Sequence, residues 1–163
     1  MNRLISIFLK VVAGLVLTIL LVVASGVLGL TFIAWPTFIA DQAIVVTPRM
    51  LEDLARLKQE PKFVADPSHF YFGATSAKSQ DECQAAVNAA IDTIIRELPS
   101  TPRSSLILGI FKQSLASFPS SESEERDQFL MYLQRIMAIA GVPSSHELFN
   151  VWRYGFPYGW LIR

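Results

Sequence analysis

Residues 120–141, SSESEERDQFLMYLQRIMAIAG, have the features of one long amphipathic helix. Acidic residues occupy the first turn, where the positive end of the helix dipole stabilises them, and Gly141 stands where helices often end in a left-handed residue. The apolar side chains between these ends recur at helical spacing over a wide face: Phe129, Leu130, Leu133, Ile136, Met137 and Ala140. Because so broad a face is typical of a helix that packs on several sides, we predict that it is the central helix of a bundle.

Four other segments carry helical periodicity and are bounded by helix breakers. Residues 47–61 begin with Thr-Pro, a common N-cap followed by a common first helical residue, and end at a proline. Residues 79–99, 104–119 and 143–155 are bounded by proline or glycine in a similar way. No alternating run of useful length predicts a strand. The sequence therefore predicts an all-α fold, with a compact bundle of about five helices after the N-terminal segment.

Capping boxes predict where three of these helices begin. In this motif a serine accepts from a backbone amide near the helix start, and a glutamate three residues later reaches back to the serine. The three pairs are Ser79–Glu82, Ser121–Glu124 and Ser144–Glu147.

The N-terminal segment 11–35 contains no charged residue. As a helix at ~1.5 Å per residue, its length of roughly 37 Å would span a hydrocarbon core of about 30 Å. A cleaved secretory signal is the alternative, with small residues at 24–26, but the apolar run continues beyond them. We interpret the segment as an uncleaved transmembrane signal-anchor. The predicted organisation is then a cytoplasmic tail at 1–10, the span at 11–35, a linker at 36–47 and a soluble α-helical domain at 48–163.

Basic residues predict the orientation of the span. Arg3 and Lys10 precede it, and Arg49 is the first basic residue after it. The positive-inside rule then places the N-terminus in the cytoplasm and the domain in the periplasm or outside, in a bacterial inner membrane. Ser25 and Gly29 stand four residues apart within the span, a small-residue spacing that would allow a weak homodimer.

Composition excludes several classes of function. The chain carries 14 Lys and Arg against 14 Asp and Glu, and basic residues are not clustered as a nucleic-acid footprint requires. A single cysteine, Cys83, excludes an intramolecular disulfide and a cysteine metal cluster. No phosphate-binding glycine loop or nucleophile elbow is present, so we expect no cofactor and no metal.

Catalytic patterns are weak throughout the chain. The stretch HELFN at 146–150 lacks the second histidine of a zinc-protease helix, since Asn150 stands in its place. The acids of 122–127 have a simpler role at a helix start, and Cys83 lies on an apolar stripe. A hydrolase using these acids with His69 or His146 stays an alternative.

Aromatic residues concentrate in a loop and at the C-terminus. In the loop we expect Phe70, Tyr71 and Phe72 to insert into the domain. The chain ends LFNVWRYGFPYGWLIR at 148–163, where Trp152 shares a helical face with Leu148 and is predicted as core. The last residues follow Pro157 and Gly159, which break the helix. They are predicted to contact a partner or the membrane interface through Tyr158, Trp160, Leu161 and Arg163.

Residues ~70–156 resemble a bacterial family of small helical domains, domain of unknown function 4844. The resemblance is carried by FYFG at 70–73 and by a set of positions from the long helix to the aromatic ending. Those positions are Glu125–Arg126, Tyr132, Ile136–Met137, Gly141, Ser144–Ser145 and Trp152–Phe156. The resemblance implies a fold and does not identify any catalytic residue in this chain.

The sequence therefore predicts a single-pass, membrane-anchored interaction domain without catalysis, bound to the lipid bilayer and to a protein partner. One specific version is an immunity or inhibitor protein that shields the cell envelope from a toxin. The alternatives are the hydrolase of the cell envelope and a structural subunit of a membrane complex.

Overall fold

The polypeptide divides into two units, Met1–Trp35 and Pro36–Arg163. The computed structural model describes residues 2–36, 41–156 and 158–161, with the backbone alone at 2, 4, 6, 32–34 and 69. The first unit is one helix, α1 (Asn2–Ala34). Within it, Ile7–Thr31 is long and apolar enough to cross a membrane, and none of that stretch is buried. A signal sequence near an N-terminus can also meet this criterion of length and hydropathy.

The second unit is built from helices. They are α2 (Pro48–Gln59), a 3₁₀ turn (Pro67–His69), α3 (Ala77–Glu97), α4 (Ser104–Ala116), α5 (Ser123–Ala140), α6 (Leu148–Tyr154) and α7 (Tyr158–Leu161). Across the described ranges the extended pairings are single bridges, Ala43 with Arg103 and Asp66 with Tyr71. The prediction of an all-α fold is confirmed, and the short α7 is an addition to the five expected helices.

α3 is the centre of the bundle. It packs against α2, α4 and α5, whereas α5 packs chiefly against α2 and α3. The prediction that the 120–141 helix is central was therefore wrong, although its apolar face is buried as expected. The buried positions of α3 form one continuous face of a 21-residue helix: Cys83, Val87, Ala90, Ile91 and Ile94.

Some helix ends lie where the local sequence predicted them, and others do not. Thr47 caps α2 by accepting from the Met50 amide at 3.1 Å, and Gly141 ends α5 in the left-handed conformation, both as predicted. All three capping boxes were wrong as helix starts. Ser76 caps α3 instead, because its extended backbone lets its hydroxyl accept from the Ser79 amide at 3.1 Å.

The other two starts follow the backbone conformation. α5 begins at Ser123 after Glu122, without a side-chain cap. α6 begins only at Leu148, because His146 and Glu147 are in the left-handed region and interrupt any helix from Ser144. Ser144 accepts instead from the amide of His146 at 3.0 Å, in a local turn.

The end of the predicted linker is attached to the start of α4. The Asp41 carboxylate accepts from the Ser105 amide at 2.9 Å and from the Ser104 hydroxyl at 3.1 Å, and it also binds the Arg103 guanidinium. The Ile44 amide donates to the Pro102 carbonyl at 2.8 Å. Residues 41–44 are therefore part of the packed unit.

Candidate interaction surface

Among the side chains that the structure describes, His146 and Cys83 do not line the pocket that the proposed acids Glu122, Glu124 and Glu125 line. In the part of the chain that the structure describes, no three His, Cys, Asp or Glu side chains are grouped as metal ligands would be. Cys83 is buried, and burial raises the pKa of its thiol; the hydrogen bond with Ser79 opposes this rise and the nearby Glu125 carboxylate adds to it. Such a thiol is a poor nucleophile. The side chain of His69 lies outside the described residues.

Two acids of the stretch 122–127 hold separate elements of the fold together. Glu125 is only 2% exposed, so its role is not confined to the start of a helix. Its Oε1 accepts from the Thr75 amide at 3.2 Å, which ties the loop before α3 to α5. Asp127 binds Arg153 of α6, with Oδ1 and Nε 2.6 Å apart. These two acids are engaged in holding elements together.

Glu122 and Glu124 remain exposed beside a pocket of about 210 Å³. The pocket lies between the start of α5 and the loop before α3, and its lining is Gly73, Thr75, Glu122, Ser123, Glu124 and Glu125. His146 is not among these lining residues.

Residues 66–73, here called the aromatic loop, adjoin this pocket. The Asp66 amide donates to the Tyr71 carbonyl at 2.8 Å, and the Tyr71 amide donates back at 3.0 Å. Tyr71 is buried, but Phe70 and Phe72 are each 86% exposed. The expectation that all three aromatics insert into the domain was wrong for the two phenylalanines. The Asp66–Tyr71 bridge and the left-handed Phe70 place Tyr71 inwards and leave both of its neighbours exposed.

The aromatic loop has a defined and strained backbone. Phe70 has a left-handed φ of 55°, which a bulky residue rarely adopts. Gly73 has a φ of 92°, and a Cβ at this position would lie 3.2 Å from the Ala65 nitrogen. The Asp66 carboxylate caps the 3₁₀ turn by accepting from the Ser68 amide at 3.0 Å.

The second exposed aromatic feature is the C-terminal arm, defined as residues 154–156 and 158–161. It is held on α6 by close backbone packing at Gly159, where a Cβ would collide with Asn150 and Val151. The Gly159 amide donates to the Gly155 carbonyl at 2.7 Å. The arm is therefore packed against α6 at Gly159.

The arm presents large apolar side chains to solvent. The exposed set is Tyr154, Phe156, Tyr158, Trp160 and Leu161. The rings of Phe156 and Trp160 meet edge to face, with centroids 5.4 Å apart. Tyr158, Trp160 and Leu161, which the sequence predicted to contact a partner or the membrane, are exposed, and Arg163 lies outside the described residues.

Trp152 connects the arm's helix to the rest of the unit. It is half-buried, and its indole N–H donates to the Leu115 carbonyl at 2.8 Å. The Arg126 guanidinium lies 4.1 Å from the centre of its ring and donates to its carbonyl at 2.5 Å.

Sequence reasoning missed the aromatic loop as an exposed surface. No local signal could have found it, because the left-handed conformation of Phe70 and the pairing of Asp66 with Tyr71 cannot be read from residue type or spacing.

Most of the helical unit was matched in the comparison with known protein families. No curated protein and no solved structure matches the chain significantly. The family described as "Domain of unknown function (DUF4844)" matches residues 45–157, from before α2 to the end of α6. The resemblance drawn from residues ~70–156 is confirmed and extends further towards the N-terminus. Since the match covers more than half of the chain, this protein belongs to the DUF4844 family.

Proposed function

We propose that this protein is a single-pass, membrane-anchored interaction domain without catalysis, whose C-terminal arm contacts the interface of the bilayer. The observation that carries the proposal is the arm itself: a packed element that exposes Tyr154, Phe156, Tyr158, Trp160 and Leu161. Exposed apolar surface of this kind marks sites of protein or membrane contact. The apolar stretch Ile7–Thr31 would supply the anchor.

The chemistry of the arm favours a lipid interface. Tyrosine and tryptophan place an apolar ring and a polar tip at the boundary between acyl chains and headgroups. Residues 154–163 contain no Asp or Glu side chain, and their one charged side chain is Arg163. Anionic headgroups would therefore not be repelled by this end of the chain.

The proposal also includes the orientation of the span and the class of protein. The basic residues Arg3 and Lys10 favour a cytoplasmic N-terminus and a periplasmic or external domain, in a bacterial inner membrane. A small helical domain tethered there suits an immunity or inhibitor protein. The hydrolase alternative gains no support, because Glu125 and Asp127 are engaged in structural contacts.

Fluorescence in reconstituted vesicles tests the role of the arm. The full chain carrying Leu161→Cys is labelled with an environment-sensitive dye, which the buried Cys83 would not take up. It is reconstituted into equal parts phosphatidylethanolamine and phosphatidylglycerol containing headgroup-proximal nitroxide lipid. We expect strong quenching of the dye at position 161.

Ser100→Cys provides the matched control, because Ser100 is exposed just beyond α3 and away from the arm in sequence. Its dye should be quenched far less. Equal quenching at both positions would mean that the arm has no special contact with lipid, and this part of the proposal would be wrong.

A further inference from the structure

We propose that the aromatic loop and the acidic pocket beside it form a docking surface for a protein segment that carries lysine or arginine next to apolar side chains. The inference rests on the proposed function and names the chemistry of its protein partner. It uses residues other than those of the C-terminal arm.

The apolar part of the surface consists of Phe70 and Phe72. Both rings are almost fully exposed, while Tyr71 between them is buried. Large aromatic side chains contribute strongly to binding when a partner covers them. The loop is closed by paired backbone hydrogen bonds between Asp66 and Tyr71, so the two rings are presented from an ordered backbone. Little conformational entropy would be lost there on binding.

Backbone strain points to the same residues. Phe70 holds a left-handed conformation that disfavours a bulky side chain, although its ring makes no buried contact to compensate. Strained, exposed positions of this kind concentrate at functional sites. Asparagine or glycine would adopt the same backbone more readily, so folding alone does not account for a phenylalanine.

The negative charge beside the rings of Phe70 and Phe72 favours a positively charged partner. Segments 66–75 and 120–125 contain Asp66, Glu122, Glu124 and Glu125, and no lysine or arginine. Gly73 and Thr75 line the acidic pocket, so Phe72 is adjacent to it in the chain. The nearest basic residues in sequence are Arg126, whose guanidinium contacts the ring and carbonyl of Trp152, and Lys78, whose amine lies 3.7 Å from the Glu82 carboxylate.

This charge pattern argues against two other occupants. A second copy of the chain docking through the same surface would bring two acidic pockets together, and an anionic lipid surface would face the same repulsion. The pocket, at about 210 Å³, is also smaller than the ~300–1,000 Å³ typical of small-molecule sites, and suits a single side chain.

Peptide selection tests the docking surface. Random dodecapeptides displayed on phage are panned against the full chain in lipid nanodiscs. We expect selected peptides to combine lysine or arginine with apolar residues. Phe72→Ser and Glu124→Gln should each weaken binding ~10-fold, the size expected when a well-covered contact is removed. Binding should also weaken as salt is raised.

Two substitutions serve as matched controls. Val45→Ser removes another exposed apolar side chain, and Glu52→Gln removes an exposed acid on α2. Both should leave peptide affinity unchanged. Selected peptides without basic residues, binding that survives Phe72→Ser, or a failure to select any peptide would each overturn the inference. Peptides that bind through the C-terminal arm instead would overturn it while leaving an interaction domain in place, and the lipid contact is judged separately by the dye at position 161.

Discussion

At the scale of single residues, Trp152 is the clearest link between helices. Its indole donates to α4, and its ring meets Phe118 and Phe129 edge to face at 5.9 and 6.2 Å. Trp152→Ala should therefore destabilise the folded unit by about 3 kcal/mol, near the lower end of measured Trp→Ala costs because the ring is only half-buried. The midpoint of urea unfolding of the full chain in detergent measures this change.

Trp160→Ala provides the comparison for this prediction. Trp160 is 37% exposed and its ring meets Phe156 at the surface. Its removal should cost less than about 1 kcal/mol. Equal losses for the two variants would show that the C-terminal arm belongs to the core, against its proposed role in lipid contact.

Phe70 gives a second prediction at this scale. Asparagine tolerates the left-handed conformation better than phenylalanine, and the exposed ring loses little burial when it is replaced. Phe70→Asn should raise stability by about 0.5–1 kcal/mol, measured as an increase in the thermal midpoint. Phe72→Asn is the control, because Phe72 is equally exposed but is not in the left-handed region. A lower midpoint for Phe70→Asn would contradict the assignment of strain.

At the scale of elements, the start of α4 depends on a residue far away in sequence. Burial would raise the pKa of Asp41, but hydrogen bonds from Arg103, Ser105 and Ser104 outweigh this and lower the pKa to about 2, from 3.8. The carboxylate also lies at the positive end of the helix. Asp41 therefore acts as a distant cap for α4 and holds residues 41–44 in place.

This lowered pKa predicts a specific acid dependence. Between pH 3.8 and about 2 the unfolded chain binds a proton at Asp41 more readily than the folded chain does. The stability contributed by Asp41 is therefore present above pH ~4 and is lost as the pH falls towards 2. Asp41→Asn should lower stability by about 1 kcal/mol at pH 7 and flatten the acid limb of the stability profile.

Asp81→Asn is the matched control, since Asp81 is an exposed aspartate on α3. Urea midpoints recorded from pH 7 to pH 2 should show the full acid limb in this variant. An unchanged acid limb in Asp41→Asn would mean that the carboxylate does not cap α4.

At the scale of the whole molecule, the prediction concerns the side of the membrane. Arg3 and Lys10 precede the apolar stretch Ile7–Thr31, so the helical unit should be exported. Alkaline phosphatase fused after Arg163 should be active, and green fluorescent protein at the same position should be dark. The reverse pair of results would place the unit in the cytoplasm and remove the proposed location.

The sequence by itself determined the helical class, most of the helix positions and the family. Periodicity and local breakers carry that information, because a helix face repeats within a few residues and a breaker lies beside the helix that it ends. The Thr47 cap, the Gly141 ending and the buried face of α5 could all be predicted for this reason.

Only the tertiary structure decided which polar groups are buried and which aromatics are exposed. Glu125 is buried because an amide fifty residues away, that of Thr75, binds it. Lys62 is fully buried, which lowers the pKa of its amine, and its Nζ donates to the Lys58 and Glu60 carbonyls at 2.9 and 2.8 Å. Phe70 and Phe72 face solvent because the Asp66–Tyr71 pairing turns them outwards. These outcomes depend on where the chain meets itself, and residue type and local spacing do not encode that position.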